Sequence, residues 1–123
     1  MVDDTSIQNV WEYVNKKNWI SDTMTIDGGN TTIILVSKYV IQHGKYFGSI
    51  VHLGFPIPKD YPITPPYGIH VRSDHGFPGI TSVNTSLVGA NWQFWSRKVN
   101  SWPEGHRSFQ YYLDHVNRWL ELN

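Results

Sequence analysis

The feature that most constrains the fold is a proline-rich segment between two strand-like segments. Residues 55 to 66, FPIPKDYPITPP, contain five of the chain's seven prolines. Each proline fixes its own φ, biases the preceding residue toward extended conformations and has no N–H to donate to a sheet. The segment therefore predicts a rigid, extended connection at a sheet edge, with Tyr61 tucked beneath it and braced by Pro62, Pro65 and Pro66.

Strand-like segments lie on both sides of this connection. TMTI, a DGGN turn and TTIILVSKYVI predict a strand, a tight turn and a longer strand, and YFGSIVHLGF and YGIHVRS predict two more. Their β-branched and aromatic residues suit a pleated surface, and the short turns favour antiparallel neighbours. We therefore predict an antiparallel four-stranded meander.

Helices are predicted at both ends of the chain. In residues 6–17 the apolar side chains follow helical spacing, and Ser6 can cap the first turn. Near the C terminus a second apolar stripe has the same spacing; it consists of Phe109, Tyr112, Leu113, Val116, Trp119 and Leu120. The predicted fold class is α+β, in a single domain over residues 1–123.

The segment from residue 73 to about 105 has no clear period. Gly, Pro, Asn and Ser dominate it, and Trp92, Phe94, Trp95 and Trp102 are embedded among them. Irregular segments of this length are uncommon in compact domains and are usually functional or disordered. Because the large aromatic side chains can anchor the segment to a core, we predict a long ordered loop.

Composition excludes several classes of partner. The formal net charge is zero, which gives no electrostatic support for binding nucleic acid or an anionic membrane. No apolar run approaches the roughly 20 residues of a membrane span, and the polar, acidic start is unlike a signal peptide, so we expect a cytoplasmic protein. His52 and His70 have no companions at ligand spacing, and we expect neither a metal site nor a cofactor.

The proline segment and the strand before it resemble the ubiquitin-conjugating enzyme (UBC) fold. Within LGFPIPKDYPITPP, the stretch YPITPP has that family's Y-P-x-x-P-P form. HGKYFGSIVHLGF resembles the preceding strand of the family, which Gly44, Tyr46 and Gly48 fit in part. The resemblance extends over roughly residues 31 to 71 and implies a UBC-like α+β fold.

A second stretch resembles a bacterial family of ubiquitin-conjugating-enzyme relatives. WQFWSRKVNSWPEG, followed by a predicted helix with YYLDHV, is similar to that family's pattern, with Lys98 in place of its usual histidine. Members of the family occur in gene clusters with ubiquitin-like proteins and their activating enzymes. The resemblance therefore implies three partners: a ubiquitin-like protein, an activating (adenylating) enzyme and a target protein.

The chain contains no cysteine. Ubiquitin-conjugating enzymes hold the carboxyl terminus of a ubiquitin-like protein as a thioester on cysteine and pass it to an amine. Two interpretations follow: a serine carries the protein as an oxyester, or the chain is a noncatalytic adaptor that binds a ubiquitin-like protein or its activating enzyme. A cysteine replaced by mutation would leave the same sequence.

The resemblance implies two candidate serine nucleophiles. Counting forward from the double proline leads to Ser86, and counting back from Trp102 leads close to Ser96. We favour Ser96 because it lies within the family-like WSRK. A serine hydroxyl needs a base near pH 7, and His75 or His106 is the candidate.

Other polar residues of this segment are candidates for supporting roles. Arg97 is a candidate to stabilise an acyl oxyanion or bind the partner's tail, and Asn84 or Asn91 to supply an amide to the oxyanion. Trp95, Lys98 and Asn91 are candidate partner contacts. Each residue also has a purely structural interpretation, because loop serines usually cap turns and loop tryptophans usually anchor a loop to the core.

Overall fold

The structure, a computed structural model, describes residues 10, 12–14, 16–17, 21–41, 44, 46–72, 83–89, 91–99, 101–105 and 107–121. Near the N terminus, the described residues from 10 to 16 are helical. Val10 and Val14, one helical turn apart, are both fully buried in the core. Ser6 and the start of this predicted helix lie outside the described residues.

A six-stranded antiparallel sheet forms the centre of the fold. Its strands are β1 (Ser21–Ile26), β2 (Thr31–Val40), β3 (Ile50–Pro58), β4 (Ile69–Arg72), β5 (Val83–Thr85) and β6 (Gln93–Trp95), in the spatial order β1-β2-β3-β4-β6-β5. A short 3₁₀ turn (Asp27–Gly29) joins β1 to β2. The C-terminal helix is Phe109–Glu121. The α+β class and the antiparallel meander β1–β4 are confirmed.

Two strands of this sheet lie in the segment that the sequence predicts to be an irregular loop. β6 pairs with β4, and β5 pairs with β6 at the far edge of the sheet. Ile69 and Val83 both have Trp95 as their cross-strand partner. The sheet therefore has six strands rather than four, and part of the expected loop is a small hairpin that extends the meander.

One face of the sheet packs against the helices. Along β3, Phe55 and its alternate neighbours belong to the buried core, and the Phe55 ring lies 5.1 Å from Phe109 and 6.0 Å from Tyr112 of the C-terminal helix. The predicted helical stripe is confirmed, with Trp119 only partly buried and Asp114 exposed. Because side chains alternate along a strand, Gly54, Pro56 and Pro58 belong to the opposite face.

The prediction that the whole proline segment is a connection is wrong in part, because residues 55–58 form the end of β3 and pair with β2. The β3–β4 pairs end at Gly54, so Pro56 and Pro58 lie where β3 is an edge on one side, and the rest of the segment leads to β4. Tyr61 is only 4% exposed, as predicted, and burial raises its pKa to about 12. Its peptide bond to Pro62 is cis. The indole N–H of Trp102 donates to the Pro62 carbonyl oxygen at 2.7 Å, and the Trp102 and Tyr61 rings lie 6.3 Å apart. Trp102 therefore anchors the later loop to the proline segment, as predicted for an aromatic anchor.

Candidate functional site

A pocket of about 390 Å³ opens on the face of the sheet that the helices do not cover. Two cross-strand rows explain its position, because paired residues of antiparallel strands share a face. Ile26 pairs with Thr31, which pairs with Pro58; in the second row, Gly54 pairs with His70, which pairs with Phe94.

The walls of the pocket are mostly apolar and partly rigid. Besides residues of the two rows, they contain Pro56 of β3, Pro65 of the proline segment, Tyr67 directly after that segment, and Leu87 from the turn after β5. Tyr67 is 51% exposed and Leu87 is 69% exposed. Proline walls restrict backbone motion, so the pocket is largely formed before anything binds.

A serine and a histidine form a buried pair at the wall of this pocket. The Ser86 hydroxyl oxygen lies 2.7 Å from His70 Nδ1, and the two residues are 5% and 4% exposed. The backbone N–H of Val88 donates to the same hydroxyl oxygen at 3.0 Å. Since that oxygen already accepts one hydrogen bond, its own proton is available to Nδ1 when the ring proton is on Nε2. This is the geometry of a nucleophile and its base.

Local structure brings these two residues together. His70 lies on β4, two strands from β5, and the chain after β5 turns back at Ser86, whose N–H donates to the Trp92 carbonyl at 3.3 Å. The His70 ring also packs on Phe94, with centroids 4.8 Å apart. Burial in these surroundings lowers the pKa of His70 to about 4, so the ring is neutral near pH 7 and is a weaker base than an exposed histidine.

Ser96, the serine favoured from sequence, contacts a residue of the pocket wall, Tyr67. Ser96 is partly buried, and its hydroxyl hydrogen-bonds to the Tyr67 hydroxyl. Tyr67 lines the pocket together with Thr64 and Pro65 of the proline segment. Both candidate serines therefore adjoin one pocket beside the proline segment, but the hydroxyl partner of Ser96 is a phenol and that of Ser86 is an imidazole.

The residues predicted for supporting roles lie in different surroundings. Arg97 donates from Nη1 to the Ser96 carbonyl oxygen at 3.0 Å, and its guanidinium lies 5.7 Å from the centre of the Trp95 ring. Lys98, Asn84 and Asn91 are exposed, and Asn91 has a φ of 66°.

The prediction of Trp95 as a partner contact is wrong. The side chain is fully buried in the core, and its indole N–H donates to Gln93 Oε1 at 3.1 Å. Because β6 pairs with both β4 and β5, Trp95 lies inside the sheet and points to its packed face.

His70, the histidine that the structure places beside Ser86, was not among the bases predicted from the sequence. His75 and His106, the two predicted candidates, lie outside the described residues. His70 lies within the apolar strand segment GIHV, and the only feature of the sequence that could have pointed to it is a polar side chain among apolar ones. Over the described ranges, no three His, Cys, Asp or Glu side chains are grouped as metal ligands. Neither described helical stretch has the length and apolar character needed to cross a membrane.

The burial of His70 predicts a pH-dependent stability. Its pKa falls from 6.5 to about 4 on folding, so between these values the unfolded chain binds a proton that the folded chain excludes. The folded chain therefore keeps its full stability, as far as His70 is concerned, above pH 6.5 and loses part of it as the pH falls toward 4. We expect this loss to amount to about 2–3 kcal/mol of unfolding free energy. Urea unfolding at both ends of this window measures the loss, and His70→Asn, which places an amide near the Nδ1 position, should show a loss smaller by that amount. Equal losses in both proteins would contradict the prediction.

One of three comparisons with known proteins gives a match, and that match agrees with the sequence resemblance. Residues 11–123, all but the first ten, match the model of Prokaryotic E2 family E, and E2 denotes the ubiquitin-conjugating enzymes. Neither the curated proteins nor the solved structures give a significant match to the chain. On the family match, which spans the sheet, the pocket and the C-terminal helix, the chain belongs to Prokaryotic E2 family E and is a ubiquitin-conjugating-enzyme-like protein.

Proposed function

We propose that this chain accepts the C-terminal carboxyl group of a ubiquitin-like protein as an oxyester on Ser86 and passes it to an amine of a target protein. The observation that carries this proposal is the 2.7 Å contact between the Ser86 hydroxyl and His70 Nδ1. The family supplies the kind of reaction and the class of partners. Since the sequence has no cysteine, an oxygen takes the place of the usual sulfur in this proposal.

The chemical roles follow from this contact. The activating enzyme presents the C-terminal acyl group of the ubiquitin-like protein in activated form. The Ser86 oxygen attacks the acyl carbon while His70 Nδ1 takes its proton, and the activating group leaves. The amine of the target then attacks the same carbon, and His70 carries the proton that the amine loses to the departing Ser86 oxygen. A base in this position contributes about 10²- to 10⁴-fold to such a step.

Ser86 is preferred to Ser96 because of the partner of each hydroxyl. Even with its lowered pKa, a neutral imidazole nitrogen is a much stronger base than the phenol hydroxyl beside Ser96. Ser96 is less buried, and it stays the second candidate for the acceptor.

One observation favours a noncatalytic adaptor as the second candidate function. Ser86 is 5% exposed, and its oxygen accepts from the Val88 N–H, an arrangement that also stabilises the turn after β5. In an adaptor, this pair would only hold the turn, and the pocket face would bind a ubiquitin-like protein or its activating enzyme without any covalent step.

The test is covalent adduct formation with the cognate activating enzyme and ubiquitin-like protein. The protein is incubated with the activating enzyme, ATP and the ubiquitin-like protein, and an adduct is sought by denaturing electrophoresis and peptide mass mapping. An oxyester survives thiol reductants, which cleave thioesters, and is lost in hydroxylamine. We expect Ser86→Ala to abolish the adduct, and Ser101→Ala, at an exposed serine beyond β6, to leave it intact.

The remaining variants separate the alternatives. If Ser96→Ala abolishes the adduct and Ser86→Ala does not, the acceptor is Ser96. If no adduct forms although the partners bind, the adaptor interpretation replaces the catalytic one.

A further inference from the structure

We propose that Ser86 and the adjoining pocket accept acyl groups directly from small esters of apolar carboxylic acids, without a ubiquitin-like protein or an activating enzyme. The inference shares the Ser86–His70 pair with the proposed function. It adds a second substrate class, which the pocket selects. Two features of the site support it: the uncharged walls of the pocket and the residues common to the pocket and the pair.

The pocket suits an apolar acyl chain. Its described walls contain no charged side chain, and prolines and the ring of Phe94 form much of its surface. At about 390 Å³ it lies toward the small end of the range of roughly 300–1,000 Å³ for pockets that bind small molecules. A charged substrate would lose its hydration there without gaining a partner, whereas an alkyl chain gains by leaving water.

The pocket and the nucleophile are connected through two residues. His70 belongs both to the pocket wall and to the hydrogen-bonded pair. Leu87, the residue after Ser86, is 69% exposed and also lines the pocket. For acylation, the chain must lie in the pocket with its carbonyl end at His70 and Leu87, the part of the wall next to Ser86.

The covalent step balances with these groups alone. With p-nitrophenyl hexanoate, the Ser86 oxygen bonds to the carbonyl carbon, and the bond from that carbon to p-nitrophenolate breaks. The proton of the hydroxyl passes to His70 Nδ1 and from there to solvent. No Asp or Glu side chain lies among the described residues around the pocket to orient the imidazole for a second, hydrolytic step. We therefore expect one acylation per chain and little further turnover.

The experiment uses the purified full-length chain and p-nitrophenyl hexanoate, with p-nitrophenyl acetate for comparison. We expect a burst of nitrophenolate that approaches one equivalent per chain, and one hexanoyl group on the peptide that contains Ser86. The hexanoyl ester should acylate at least about tenfold faster than the acetyl ester, because its longer chain fills the pocket. Ser86→Ala should abolish the burst, and His70→Asn should slow it by about 100-fold or more.

Two further variants test the pocket and the specificity. Leu87→Asp puts a charge at the mouth of the pocket on an exposed side chain, so the fold should tolerate it, and the preference for the hexanoyl ester should disappear. Ser101→Ala should leave the burst unchanged, because that serine is exposed and lies outside the described lining of the pocket. Circular dichroism confirms that each variant is folded.

Several results would overturn the inference. They are acylation of lysines or the N terminus with Ser86 unmodified, an undiminished burst in Ser86→Ala, or equal rates for the two esters. An adduct of the ubiquitin-like protein on Ser86, with no reaction of either ester, would overturn this inference and leave the proposed function standing. Acylation of Ser86 by the esters, with no adduct of the ubiquitin-like protein, would support this inference and count against the proposed function.

Discussion

Gly68→Ala is expected to lower the free energy of unfolding by about 3 kcal/mol or more. Gly68 has a φ of +71°, a conformation that costs a residue with a Cβ atom about 1–2 kcal/mol. A Cβ at this position would lie 2.5 Å from the Trp95 carbonyl oxygen and 2.8 Å from the Phe94 ring. The oxygen belongs to the backbone of a paired strand, so relief of the overlap requires the sheet to shift.

Gly68 also links three parts of the fold. Its N–H donates to the Arg97 carbonyl oxygen at 2.7 Å, and its own carbonyl oxygen accepts the Tyr112 hydroxyl at 2.8 Å. Tyr112 is fully buried, so losing this hydrogen bond would leave its hydroxyl unpaired in the core. The variant should therefore loosen the end of the proline segment, the chain beyond β6 and the C-terminal helix together.

Gly28→Ala is the matched control for this prediction. Gly28 has a similar φ of +65°, but nothing lies within 4 Å of the Cβ that alanine would add. We expect Gly28→Ala to lower the free energy of unfolding only by the cost of placing a Cβ atom at positive φ, about 1–2 kcal/mol. Urea unfolding of both variants isolates the steric term, and equal losses would show that the close approach at Gly68 carries no energy. Because Phe94 lines the pocket, Gly68→Ala should also reduce acylation of Ser86, and Gly28→Ala should not.

Strong local signals were sufficient to predict the frame of the molecule. The prolines allow few conformations, so the connection after β3 and the burial of Tyr61 follow from the sequence. The stripe around Leu113 and Val116 repeats over several turns, which makes the C-terminal helix predictable from periodicity. The hairpin turn before β2 contains two glycines, Gly28 and Gly29, both with positive φ.

The missed features depend on pairings that are distant in the chain. β5 and β6 have three residues each, too few to show an alternating pattern, and β6 is held by pairing with β4 rather than by its own propensity. Only that pairing brings Ser86 to His70 and buries Trp95. A sequence search for a base among the histidines nearest the candidate serines therefore led to His75 and His106 and passed over a histidine on another strand.

Tyr61→Ala should destabilise the chain by about 3 kcal/mol or more, as large-to-small changes of buried aromatic residues do. The side chain is 4% exposed and packs in the main core cluster near the Trp102 ring. Removing the ring leaves a cavity beneath the proline segment, and the stiff backbone above it cannot collapse to fill the space. Chemical denaturation at neutral pH measures the change.

Tyr61→Phe keeps the ring and removes only the hydroxyl, so we expect it to cost about 1 kcal/mol or less. The two Tyr61 variants together also test how the proline segment supports the pocket. Thr64, Pro65 and Tyr67 continue from Tyr61 into the pocket wall. If the buried ring fixes that wall, Tyr61→Ala should weaken the preference for the hexanoyl over the acetyl ester while Tyr61→Phe retains it. A full preference in a destabilised but folded Tyr61→Ala protein would show that the pocket is held by the sheet alone.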